Sequence, residues 1–255
     1  MTKRYKNPPL IEAVCEFRFD PSSPWDLAIP GLFYEQVKNS YPVKRPISSI
    51  EVVVRSIPNQ QFAPLFVPPS VQQMDRIQFL GDDEKSVLML GPHVISIHRL
   101  APYTRWEDYE PSIARALQVY REVARPKGLS RIGLKFQNLI NIPHRSIRME
   151  EYFAFYPALG EALPQEHGAF LVGVVLPFDG GDNQLRLELQ SGFPGKEDTY
   201  SVLLSLDYYS AGQNQVAWND VKSWMTNGHA RIEEVFEGTL LESTRTLFGP
   251  LGESQ

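Results

Sequence analysis

Apolar and polar residues alternate along this chain in several short runs, while in a few longer runs apolar residues recur every third or fourth position. These two periods separate strands from helices. The first run, LIEAVCEFRF from Leu10 to Phe19, sets Ile11, Ala13, Cys15, Phe17 and Phe19 on one side and Glu12, Glu16 and Arg18 on the other, which predicts a half-buried strand. GLFYEQVKNSYP then places Leu32, Phe33, Gln36 and Val37 at helical spacing until Pro42 ends the pattern, so a short helix is expected. SIEVVVRS, RIQFL, SVLML and HVISIHRL follow as strands, with GDDEK and Gly91-Pro92 as turns in an antiparallel meander. Trp106, Tyr109, Ile113, Leu117, Tyr120 and Ala124 predict a long amphipathic helix, with capping-box spacing between Thr104 and Glu107. Acidic residues lead it and Arg115, Arg121 and Arg125 trail, as the helix dipole favours; Pro111 marks a kink or its regular start.

The order then begins again. RIGLKFQNLINIP alternates Ile132, Leu134, Phe136, Asn138 and Ile140 against Arg131, Gly133, Lys135 and Gln137, a counterpart of the first strand. SIRMEEYFAFYP closes in Tyr156-Pro157 as the first short helix closed in Tyr41-Pro42. Three strand candidates, FLVGVVLPF, QLRLELQSG and YSVLLSLDYY, lead into a helical pattern from about Asn219 to Phe248. The expectation is an α+β fold of two similar halves, 1–127 and 128–255, each running strand, short helix, antiparallel meander and long helix. The halves form either two sheets or one continuous sheet in a single compact unit. This order resembles the duplicated fold of the TATA-binding protein; the likeness is one of element order and transfers no function.

Composition narrows the class. The 255 residues, 42% of them hydrophobic, suffice for one large or two modest cores, and 21 prolines demand many loop breaks. The single Cys15 belongs to the apolar side of the first strand, so it reads as a buried structural thiol in a reducing compartment. MTKRYKNPPL lacks the apolar region of a secretory signal, and the longest apolar run, AFLVGVVL, is short of the ~20 residues that span a bilayer. A cytoplasmic protein without membrane insertion is expected. The net charge of −5 divides into +2 for residues 1–127 and −7 for the rest. No predicted element gathers lysines and arginines densely, which argues against duplex binding, whereas a basic protein partner suits the acidic half.

Familiar catalytic arrangements are missing from the sequence. Its five histidines show no His-x-His or His-x-x-x-His spacing, and His93 and His98, five apart on a strand, point to opposite faces, so no metal site is expected. There is no nucleophile elbow, phosphate-binding glycine loop or dinucleotide fingerprint. Glu150-Glu151, Asp82-Asp83 and Glu233-Glu234 read as solvated surface. In the last helix, Met225, His229, Ile232, Phe236, Thr239, Leu240 and Leu247 share a stripe, which makes His229 a boundary residue of a packing face. Gly228 and Gly238 weaken that helix and mark a close helix–sheet contact or a bend. The remaining candidate is the strand-to-helix connection RLAPYTRW. Arg99, Tyr103, Arg105 and Trp106 surround it, and guanidinium and aromatic groups suit an anionic planar ligand or a protein hot spot. The competing reading is that Tyr103 and Trp106 simply anchor the helix start.

The spaced segments PPLIEAV, IPGLFYEQVKNSYP, LGPHVISIHRLAPYTRWEDY, RIGLKFQNLINIP, EEYFAFYP and HARIEEVFEGTL together resemble a sporadically distributed, functionally uncharacterised family of bacterial and prophage proteins of this size. The resemblance spans nearly the whole chain. It implies accessory work on mobile elements, in toxin–antitoxin pairs or in defence, and supplies no catalytic residues. The sequence therefore reads first as a non-enzymatic binding module for a protein partner, without a cofactor. The alternatives are an enzyme or sensor for a small anionic or nucleotide-like ligand at Arg99–Trp106, and nucleic-acid binding across the sheet through Arg131 and Lys135.

Overall fold

A computed structural model describes residues 4–50, 73–103, 105–164, 168–191, 198–211 and 216–251. After the two-residue β1 (Arg4–Tyr5), the first alternating run forms β2 (Leu10–Phe19). Its register with the central strand of the second half shifts between Leu10 and Glu12, so Ile11 is the extra residue of a bulge. That slip reverses the expected phase at the strand's start. Leu10 is buried, whereas Ile11 is 38% exposed. From Ala13 onward the alternation holds, and Ala13, Cys15, Phe17 and Phe19 are all buried.

The short helix α1 (Ile29–Val37) has proline in its first turn and buries Ile29, Phe33 and Val37, leaving Leu32 exposed. A four-residue repeat places those three residues on one side, and Leu32 falls off that stripe. Strand β3 (Val43–Ile50) begins earlier than SIEVVVRS, most of which lies outside the described residues. Strands β4 (Gln73–Leu80), β5 (Ser86–Gly91) and β6 (Val94–Leu100) form the meander. Helix α2 (Trp106–Ala124) contains Pro111, and Arg105 precedes it without a side-chain cap; Thr104 lies outside the described residues. Arg125 ends it in the left-handed region.

In the second half, β7 (Leu129–Ile142) follows the predicted alternation, with Asn138 buried and donating to the Leu204 carbonyl. The expected second short helix does not form. A single 3-10 turn, Met149–Glu151, is followed by a bridge from Phe153 to Leu240, which holds the backbone extended there. Strands β8 (Leu171–Phe178), β9 (Asn183–Ser191) and β10 (Tyr200–Ser210) come next. The terminal helix is divided into α3 (Val221–Thr239) and α4 (Glu242–Phe248), because Leu240 adopts an extended conformation at the Phe153 bridge. The last strand, β11 (Pro250–Leu251), pairs with β1.

Nine strands make one antiparallel sheet in the order β3-β4-β5-β6-β2-β7-β10-β9-β8. Cross-strand partners share a face. The row Phe79, Leu88, Ile97, Cys15, Leu134, Tyr208, Leu185 and Leu176 is therefore an apolar line across eight strands. Helices cover this face: Phe19 stacks on Tyr120 of α2 at 4.1 Å, and Tyr109 donates to the Ile97 carbonyl. An ideal Cβ on Gly228 of α3 would meet Tyr208 at 2.7 Å, so this glycine marks a close helix–sheet contact. The neighbouring row, Gln78, Met89, Ser96, Glu16, Gly133, Tyr209, Gln184 and Pro177, belongs to the opposite, largely polar face.

Candidate functional site

The predicted loop site spreads in several directions. Arg99 turns to the β4–β5 turn, where it donates to Asp83 at 2.7 Å and to the Ser86 hydroxyl. Partial burial opposes ionisation of Asp83, but the Ser86 and Lys85 amides, the Ser86 hydroxyl and Arg99 outweigh it and bring the pKa down to about 2. Tyr103 packs its ring 6.0 Å from Tyr109 and 5.9 Å from Phe136. Its buried hydroxyl has no partner among the described residues, and burial with nearby Glu233, Glu107 and Asp108 raises its pKa. Arg105 is exposed ahead of α2, and Trp106 stacks on His229 at 4.4 Å. Both aromatic rings thus serve in joining α2 to β7 and α3, and Arg99 is engaged by the hairpin.

His229 takes the boundary position that its stripe implied. Burial lowers its pKa to about 4 against an opposing influence from Glu107. The ring is therefore neutral near pH 7, so its 3.6 Å approach to Glu233 is not an ion pair there.

The polar face carries a longer constellation. His98 holds Glu12 through Nδ1 at 2.8 Å and Ser96 through Nε2 at 2.9 Å, while Gln137 donates to the other Glu12 oxygen at 3.0 Å. Ser, His and carboxylate stand in the order of a nucleophilic triad. Ser96, however, is 1% exposed and lies in the middle of β6, paired on both sides by β2 and β5. Backbone amides engaged in two ladders do not form an oxyanion hole. With Gln137, the trio instead ties β6, β2 and β7 together.

Beside it, Glu16 accepts from Arg18 at 2.6 Å and lies 3.5 Å from Arg131 and 3.8 Å from Arg76. Arg131 reaches Asp207 at 3.9 Å and covers the Tyr209 ring at 4.7 Å. Burial raises the Asp207 pKa, opposed by Arg131, Lys135 and Arg186. Gly133 gives Arg131 its place, since an ideal Cβ there would stand 3.3 Å from the guanidinium. The alternation of β2 and β7 assigns Glu16, Arg131 and Lys135 to polar faces, but only the β2–β7 pairing puts them side by side. Arg76 and Asp207 carried no sequence signal of their own.

The two outer strands of the sheet differ in chemistry. Strand β3 carries Lys44, Arg45 and Pro46 in succession, all exposed. Strand β8, LVGVVLPF, has no charged residue, and Leu171, Val174 and Val175 are 63%, 39% and 48% exposed. Val174 is paired with buried Leu187 and Val175 with Arg186, so the apolar exposure involves both faces. Among the described residues, β8 pairs only with β9, no group of acidic, histidine or cysteine side chains is arranged to hold a metal, and no helix is long and apolar enough to cross a membrane. No protein-family model and no curated protein matches this chain.

Proposed function

We propose that this protein is a binding module whose protein partner adds an extended segment to β8. The outer edge of β8, unpaired among the described residues, carries the reading. An edge strand presents unpaired backbone donors and acceptors, and proteins usually guard it with charge, proline or a covering element. The opposite edge of the sheet has Lys44, Arg45 and Pro46, whereas β8 has eight uncharged residues with only Pro177 near its end. Strand addition would satisfy the backbone and cover Leu171 and Val175 with alternate partner side chains. Residues 128–255 carry a net charge of −7, which favours basic side chains on the added segment. A second copy is less suited: symmetric pairing would bring two Pro177 residues, each lacking an N–H, to one seam.

The same reading includes a duplicated architecture like that of the TATA-binding protein. Antiparallel pairing of β2 with β7 at the centre, flanked by β6 and β10, supports it. The accessory, antitoxin-like or defence role implied by the resemblance fits a module that acts through a partner.

The test is Val175→Lys, which places a charge on the exposed edge and should change stability by no more than about 0.5 kcal/mol. Affinity purification from the native source should recover one stoichiometric protein with the wild type and lose it with the variant. Hydrogen exchange should show new protection of β8 amides in that complex. Equal recovery by both proteins, or a homodimer in sedimentation that Val175→Lys dissolves, would refute the partner reading.

A further inference from the structure

The polar face holds a cation whose hydrogen bonding is incomplete among the described residues. Arg76 stands on β4 with its side chain 10% exposed, and its Nη1 faces Glu16 at 3.8 Å. Its Nε and Nη2 are buried and have no hydrogen-bond partner among the described residues. These two nitrogens form the side-on edge of a guanidinium, where parallel N–H bonds match two oxygens of one oxyanion. Leaving such donors buried and unpaired is costly, and each instance calls for a cause. The surrounding charge indicates what is missing. Arg18, Arg76, Arg131, Lys135 and Arg186 stand against Glu16 and Asp207, five cations to two carboxylates. Glu12, the next carboxylate along β2, is already held by His98 and Gln137. A carboxylate ligand would neutralise only one of the excess positive charges, whereas a phosphate group carries about −1.5 to −2 near pH 7.

We propose that this seam binds a phosphate group, with the Nε/Nη2 edge of Arg76 taking two of its oxygens and Arg131, seated over Gly133, supplying a second cation. The proposal does not rest on the reading of β8. Glu16 acts as a spacer between the arginines: it keeps Arg18, Arg76 and Arg131 close together in the absence of ligand without occupying the bare edge of Arg76.

Calorimetric titration of the full chain with inorganic phosphate, adenosine 5′-monophosphate and acetate, at matched ionic strength in chloride, tests this. Saturable binding of either phosphate probe, with acetate weaker, is expected. Tighter binding of the monophosphate identifies an ester ligand, and tighter binding of inorganic phosphate identifies the free ion. Arg76→Gln should weaken binding about tenfold or more, and Arg76→Lys should not restore it, because a lysine cannot present the paired donors. Hydrogen exchange on the wild type gives a readout that does not depend on the variants folding; phosphate should protect amides of β2 and β4 around Glu16 and Arg76. Acetate binding as tightly as phosphate, no phosphate binding beyond that of chloride, unchanged affinity in a folded Arg76→Gln, or protection confined to other strands would each overturn the proposal.

Discussion

Gly228 and Gly238 lie in the same helix, α3, and replacing each with alanine should change stability in opposite directions. Alanine is favoured over glycine within a helix by about 1 kcal/mol, so propensity alone stabilises both variants. Packing separates them. An ideal Cβ at Gly238 meets nothing within 4 Å, and this penultimate helical position should gain about 0.5–1 kcal/mol. At Gly228 the added carbon would stand 2.7 Å and 3.0 Å from two ring carbons of Tyr208 and 3.3 Å from Leu134. Carbon contacts are comfortable at about 3.5–4.0 Å, so the ring would have to retreat by nearly ~1 Å. Tyr208 is 1% exposed and held between Trp224 at 5.1 Å and Phe178 at 5.9 Å, so retreat disturbs a packed core. Overpacking of this kind costs about 1–3 kcal/mol, which after the propensity gain leaves Gly228→Ala destabilised by up to about 2 kcal/mol. Urea unfolding of the two variants beside the wild type should place their midpoints on opposite sides of it. Thermal melts should separate them by several degrees, since 1 kcal/mol moves the midpoint by roughly 2–4 °C in a chain of this size. A Gly228→Ala protein as stable as Gly238→Ala would show that α3 does not approach β7 and β10 as described.

His229 makes stability depend on acid. Its pKa falls from 6.5 to about 4 in the fold because burial disfavours the charged ring, so between those pH values the unfolded chain binds more protons. The histidine's contribution is full above about pH 6.5 and is lost as pH falls toward 4, by up to about 3 kcal/mol. Urea midpoints measured at pH 7, 5.5 and 4.5 should show His229→Phe losing less stability on acidification than the wild type; parallel losses would refute this. Phe17 is fully buried on β2 between Ile95 and Ile132, so Phe17→Ala should cost about 3–5 kcal/mol through cavity formation. An unchanged urea midpoint would show that Phe17 does not belong to the core.

Local periodicity determined much of this protein from its sequence. Alternation in Leu10–Phe19 and Arg131–Ile142 assigned most inward and outward positions of β2 and β7, and the three-and-four spacing from Trp106 to Ala124 located α2. The same spacing put His229 at the edge of a packing face, while Gly228 and Gly238 read as either a close helix–sheet contact or a bend, and the structure shows the contact at Gly228. Each of these depends on neighbours a few residues away, where backbone geometry alone sets which side chains share a face. The tertiary structure decided what depends on distant partners. A bulge reversed Leu10 and Ile11, and the Phe153–Leu240 bridge divided a helix whose pattern read as continuous. Pairing of β2 with β7 brought Glu16 to Arg131, and Asp83 drew Arg99 away from the aromatic residues beside it in sequence. A residue's period records which side it takes, but not which strand lies next to it, because pairing is settled by the packing of the whole sheet.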